Sequence, residues 1–205
     1  MRYLELKEQL KEYKIFNLRD VRKLEAGFDL RRLNEWQSKG YLIKIRQGWY
    51  AFADLEITEP ILFTIANRIH GPSYVSLEIA LSLYGLIPES VYTITSVTSG
   101  QTLTLETPLG AFSYRHLKPE LLFGYSLREY KGQTYKIAEA EKAVLDYFYL
   151  NPDVADKESF EGLRLNPLEF KERIKREMLS QYLTAFGSQA LASRINKLLT
   201  YVDHA

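Results

Sequence analysis

The feature that most constrains this 205-residue chain is a change of hydrophobic period within residues 28–52, FDLRRLNEWQSKGYLIKIRQGWYAF. Leu30, Leu33 and Trp36 recur at intervals of three, which places them on one face of a helix. Asp29 precedes them as a helix N-cap residue, and Gly40 follows as the left-handed residue that ends the helix. From Ile43 the period becomes two. Ile43 and Ile45 alternate with Lys44 and Arg46, the pattern of a strand with one buried face. Gln47-Gly48 makes a tight turn, and Trp49 to Phe52 return as a second strand. Helix, glycine, then a basic hairpin is the order of a recognition helix followed by a wing. Arg31, Glu35, Ser38 and Lys39 lie opposite the apolar helix face, with Arg32 at its flank. Lys44 lies on the hairpin, and Arg46 and Gln47 at its tip. These residues are the candidate DNA contacts, because guanidinium, ammonium and amide groups grip phosphates and read base edges.

The preceding segment extends the pattern. Tyr3 to Tyr13 reads as a helix with Leu6, Leu10 and Tyr13 inward. Asn17 caps a second short helix, with Asp20 in its first turn and Leu18, Val21 and Leu24 inward; Gly27 ends it. Three short helices and a two-stranded wing over residues 1–56 predict a winged helix-turn-helix. A winged helix used for protein contact has the same pattern. Residues 1–54 hold 12 Lys and Arg against 8 Asp and Glu, whereas residues 55–150 hold 7 against 10, an asymmetry that suggests two surfaces with different partners.

A boundary is expected between Ala53 and Glu59, with residues 57–205 as a second domain built on its own core and sharing few contacts with the first. Thr58 caps a helix with Pro60 in its first turn and Ile61, Ile65 and Ile69 on one face. Ser76 to Tyr84 reads as another helix, with Leu77, Ala80, Leu81 and Tyr84 inward. Strands are predicted at Val91 to Thr98, Thr102 to Thr107, Ala111 to Leu117, Gly124 to Tyr130 and Gln133 to Ile137, all as an antiparallel run. Helices follow at Ala138 to Leu150, as one long helix from Asn166-Pro167 to about Phe186, and as a last helix capped by Ser188 with Leu191, Ile195 and Leu198 inward. The expected fold class is α+β: an N-terminal winged helix-turn-helix, then a mixed α+β domain with an antiparallel sheet and C-terminal helices.

The chain offers little catalytic chemistry. It has no cysteine, which excludes disulfides and thiolate metal sites and fits a reducing cytoplasm. No apolar run approaches the ~20 residues of a membrane span, and the charged start MRYLELKEQLKEYK does not read as a signal peptide. His70, His116 and His204 lack a metal-ligand partner at helical spacing. No phosphate loop, nucleophile elbow or cofactor motif is present. Glu139, Glu141, Lys142 and Asp146 combine the residue types of a metal-dependent nuclease. Their spacing of three and four instead predicts ion pairs along a helix surface. The chain is therefore read as a non-enzyme that uses no cofactor.

Four segments together resemble the AbiEi-type antitoxins of type IV abortive-infection toxin–antitoxin systems. They are GYLIKIRQGWY (40–50), YVSLEIALSLYGLIPE (74–89), Phe112 to Leu117 with Phe123-Gly124-Tyr125, and IAEAEKAVLDY (137–147). They span about residues 15–150, and residues 151–205 match only in being helical. The resemblance implies a cytoplasmic regulator whose winged helix binds inverted repeats of double-stranded DNA in its own promoter. The second domain would counter a nucleotidyltransferase toxin encoded next door, without requiring a stable complex with it. The positions carried over are Arg31, Arg32, Lys39, Lys44 and Arg46. The alternative is a winged-helix transcription factor whose second domain senses a ligand or another protein, its pocket lined by some of the many aromatic residues. A nuclease using Glu139, Glu141 and Asp146 is the third reading.

Overall fold

A computed structural model describes residues 1–88 and 92–205. The chain begins with α1 (Tyr3–Leu10), β1 (Ile15–Asn17), α2 (Leu18–Leu24), α3 (Arg31–Ser38), β2 (Leu42–Arg46) and β3 (Trp49–Phe52). The strands form an antiparallel sheet in the order β1-β3-β2. The helix expected through Tyr13 stops at Leu10, passes through a short 3₁₀ turn, and gives way to β1. β1 satisfies its backbone on the free edge of β3, pairing Ile15 with Ala51 and Asn17 with Trp49. Three residues are too few for a period of two to register in sequence. The displaced chain leaves Tyr13 exposed, and Leu24 and Leu30, also expected inward, are exposed as well.

The caps follow the sequence. Asn17 Oδ1 accepts the backbone N–H groups of Arg19 and Asp20, and Asp20 accepts that of Asn17. Asp29 Oδ1 accepts the Arg31 N–H, but the helix itself opens one residue later than the apolar spacing implied, with Leu30 at its cap. Gly40 takes φ +73°, which lets Tyr41 donate back to the Trp36 carbonyl at 2.8 Å and closes α3.

The sheet was expected to bury one face; it buries two. Phe16, Leu42, Tyr50 and Phe52 pack with Leu6, Leu10, Val21, Leu33 and Trp36 under the helices. Their strand neighbours Ile15, Ile45 and Ala51 join the core of the following segment, and Ile43 and Trp49 pack against it. The two faces alternate along β1 and β3 and from Leu42 to Ile45, and a register shift between Lys44 and Arg46 interrupts the alternation at the hairpin tip. Hydrogen bonds reinforce this junction. Arg46 donates to the Ile69 carbonyl at 2.9 Å, Arg68 to that of Tyr13 at 2.8 Å, and Gln133 to that of Glu12 at 2.7 Å.

The second segment is built on α4 (Glu59–Ile69), β4 (Ser73–Val75), α5 (Leu77–Leu83), β5 (Thr93–Thr98), β6 (Leu103–Thr107), β7 (Gly110–His116), β8 (Tyr125–Tyr130) and β9 (Gln133–Ala138). Its six strands run in the order β6-β7-β5-β4-β9-β8. The sheet is mixed rather than antiparallel, because β5–β7 and β4–β9 are parallel pairs. β7 lies between β5 and β6, so β5 does not pair with the strand that follows it, whereas β4–β5, β6–β7 and β8–β9 pair antiparallel as sequence neighbours. β5 is buried along nearly its whole length, as a central parallel strand must be. Val91, the expected start of this strand, lies outside the described residues. α4 covers one face of the sheet, where the Tyr114 hydroxyl donates to the Ala66 carbonyl. α5 and α6 (Ala140–Leu150) cover the other, with Thr95 accepting the Ile79 N–H and Tyr74 reaching Asp146.

The remaining helices are α7 (Lys157–Gly162), α8 (Pro167–Arg173), α9 (Arg176–Phe186) and α10 (Gln189–His204). The single helix expected from Asn166 to Phe186 breaks at the buried, extended Ile174, because Glu141 accepts the Lys175 N–H at 2.8 Å and starts α9 there. Ser188 caps α10 as expected, and Leu191, Ile195 and Leu198 are buried.

Candidate nucleic-acid interface

The candidate residues fall into groups with different freedom. Arg31 is almost fully exposed at the start of α3, with its guanidinium 3.7 Å from Asp29. Ser38 and Gln47 are exposed, as is Lys44, whose side chain makes no hydrogen bond or ion pair among the described residues. Glu35 and Lys39 neutralise each other at 2.5 Å one turn apart, and the Lys39 ammonium holds the Glu35 carboxyl below the usual carboxylate range. Arg32 donates to the Met1 carbonyl at 2.6 Å, fixing the start of the chain beside α3.

Arg46 departs from its expected place. It is half-buried and its guanidinium turns away from the hairpin tip to the carbonyl at the end of α4. The cause is a register shift between Lys44 and Arg46: it breaks the period of two, so Arg46 leaves the face that Lys44 occupies and reaches the side of the sheet covered by α4. Among the described residues, no hydrogen bond or ion pair joins the α3 residues to Lys44, Arg46 or Gln47.

Two further cations lie on the same basic segment. Arg19 and Arg22, exposed on α2, line a surface depression of about 380 Å³ together with Gly48 and Trp49 of the β2–β3 turn. Neither guanidinium has a partner among the described residues. Their sequence signal is R-D-V-R-K, two arginines three apart on the polar side of an amphipathic helix. The stronger pattern of α3 and the hairpin overshadows it. Arg19, Arg22, Arg31 and Lys44 therefore present cationic groups to solvent at low desolvation cost for an approaching phosphate.

The acidic cluster of α6 is not the helix surface its spacing implied. Lys142 and Asp146 are fully buried and Glu141 nearly so. Asp146 accepts from Lys142 Nζ, from the Tyr74 hydroxyl at 2.9 Å and from Ser76 Oγ at 2.8 Å. The Lys142 ammonium also donates to the Tyr74 hydroxyl at 2.7 Å and lies 5.0 Å from the Phe123 ring centre and 4.8 Å from that of Phe186. Burial pushes the Asp146 carboxyl up and the Lys142 amine down, and it raises the Tyr74 phenol. Glu139 points elsewhere, accepting from the Tyr182 hydroxyl at 2.5 Å. The carboxylates thus serve separate partners and do not converge. Among the described residues no three His, Cys, Asp or Glu side chains form a group suited to a metal ion.

Among the described residues, no helix is long and apolar enough to cross a membrane. No protein-family model matches the sequence, and no curated protein matches it significantly.

Proposed function

We propose that this chain is a DNA-binding repressor of its own promoter and an antitoxin of the AbiEi type, acting against a nucleotidyltransferase toxin. The element order α1-β1-α2-α3-β2-β3 with an antiparallel β1-β3-β2 sheet supports a winged helix-turn-helix. In this reading α3 enters the major groove and the β2–β3 turn is the wing. The observation that carries the DNA-binding half is the set of unpartnered, exposed cations around α2 and the wing, Arg19, Arg22 and Lys44, beside the nearly free Arg31 of α3. These groups position the protein on the phosphates; Arg31 and Gln47 are of the right chemistry to read base edges. The role against a toxin rests on the sequence resemblance, and no catalytic step is assigned to the chain.

The test is binding of the full chain to a labelled duplex from its own upstream region, followed by fluorescence anisotropy at several salt concentrations. Binding should weaken steeply with salt because each neutralised phosphate releases counterions. Failure to bind that duplex at low salt refutes the DNA reading. In cells carrying the neighbouring nucleotidyltransferase gene, co-expression of the chain should restore growth; growth arrest despite soluble expression refutes the antitoxin reading.

A further inference from the structure

A second basic site lies away from the α2–wing surface, where the first segment meets the second. Lys7, Lys11 and Lys14 approach it from α1 and the turn that follows, and Lys131 approaches it from the β8–β9 turn. They surround a pocket of about 180 Å³, with Phe52 and Ile61 contributing buried apolar surface. Lys7 is held by Asp54 at 2.7 Å, Lys131 by Glu56 at 2.6 Å and Lys11 by Glu8 at 2.6 Å. Lys14 is different. It is half-buried, and its side chain has no hydrogen bond or ion pair among the described residues.

The backbone holds this cation in place at a conformational cost. Lys14 sits at φ 61° and ψ −52°, a region that residues with a Cβ rarely occupy. The strain is maintained from the second segment, because Gln133 grips the Glu12 carbonyl and Arg68 that of Tyr13. Lys131, across the pocket, is also left-handed at φ 47° as the first residue of a two-residue hairpin turn with Gly132. Two segments far apart in sequence therefore bring lysines to one recess from held backbone positions.

We propose that this pocket binds a small phosphate monoester. Four ammonium groups line the recess with Asp54 and Glu56, and once the Glu8 that pairs with Lys11 is counted the balance is one positive charge, that of the unpartnered Lys14, to which an anionic phosphate is complementary. Exposed lysine–carboxylate pairs stabilise little, so the lysines reorient toward a doubly charged acceptor at small loss. The volume is below the ~300–1,000 Å³ of pockets that enclose whole drug-sized ligands, which suits a phosphate head with its stem left at the mouth. A recess of this size admits a single phosphate group more readily than the continuous backbone of a duplex.

The test uses the full chain, with inorganic phosphate and glycerol 3-phosphate as probes, at ionic strength held constant with chloride. Amide NMR titration should show saturable shifts at Lys14, at residues 54–56 and at Lys131-Gly132, and the melting temperature should rise with either probe. Lys14→Gln and Lys14→Gln/Lys131→Gln should each weaken binding at least tenfold while circular dichroism stays unchanged. Equal affinity in the folded double variant, or shifts that never saturate, overturns the proposal. So does a pocket that responds to duplex DNA and to neither small anion. Since DNA binding enters neither supporting arm, failure here leaves the repressor reading standing.

Discussion

Removing the Asp146 carboxylate should destabilise the protein more than any surface change on α6. Asp146→Ala deletes the acceptor for three donors, Lys142 Nζ, the Tyr74 hydroxyl and Ser76 Oγ, all buried. The Lys142 ammonium is then left among the rings of Tyr74, Phe123 and Phe186 with the Tyr74 hydroxyl as its remaining partner. Breaking a buried pair by removing one member typically costs about 3–5 kcal/mol, since an uncompensated charge stays behind. Domains are stable by only about 5–15 kcal/mol, so the variant should be near its limit at ambient temperature. Urea unfolding followed by circular dichroism measures the difference. The double variant Lys142→Met/Asp146→Asn removes both charges and keeps an amide oxygen for the two hydroxyls. It should recover more than half of the loss, a non-additivity expected only of groups that touch directly. A loss below about 1 kcal/mol for Asp146→Ala, or a double variant as weak as the single one, would show that the charges are not a mutually dependent buried pair.

Other outcomes follow from the same structure and from the proposed DNA-binding role. Arg31→Ala/Lys44→Ala should weaken binding to the upstream duplex and flatten the salt dependence, read by anisotropy. The log–log slope should fall by about 0.9 for each phosphate that the variant no longer neutralises; an unchanged slope removes these residues from the interface. Arg46→Ala should lower thermal stability by about 1 kcal/mol through removal of the bond to the Ile69 carbonyl, with a smaller effect on the salt slope than Arg31→Ala. Tyr182, hydrogen-bonded to the Glu139 carboxylate, has its phenol pushed up to about 12. The folded chain therefore holds that proton above the ordinary pKa of 10.0. The stabilisation is complete below pH ~10 and is lost as pH rises through about 12, which ultraviolet phenolate titration of Tyr182→Phe against the parent resolves. Residues 1–56 alone should expose Ile15, Ile45 and Ala51 and lack a cooperative melt; a sharp transition in that fragment would show that the shared sheet face is dispensable.

Local signals are legible where one element settles its own structure. The Asn17 and Ser188 caps, the Gly40 termination of α3 and the hairpin at Lys131-Gly132 all depend on backbone groups within a few residues. Elements that depend on distant partners are not legible. β1 and β4 are three residues each, and they exist because β3 and β5 offer edges to pair with. The break before α9 depends on Glu141, 34 residues upstream, which accepts the Lys175 N–H. Parallel pairing of β5 with β7 leaves no mark in either strand beyond β5 being buried on both faces, and its small polar residues Thr95, Ser96 and Thr98 conceal that.

The candidate interface shows the same division. Alternation in residues 43–52 correctly places Lys44 outward, yet it assigns Arg46 to solvent because the register shift between Lys44 and Arg46 leaves no mark in a period of two. Ile15, Ile45 and Ala51 lie on the face that continues into the core of the second segment, and Arg46 reaches the end of α4 beside them. The base of the β2–β3 hairpin is thus also a wall of the larger core. A displacement of α4 or of the β8–β9 turn must be felt at β2 and β3, because close-packed interiors transmit strain rather than absorb it. Lys14 and Lys131 face each other across that junction and both line the lysine-rich pocket. An anion bridging them would bear on the packing that orients the β2–β3 hairpin, with Arg46, Arg68 and Gln133 as polar links across the junction.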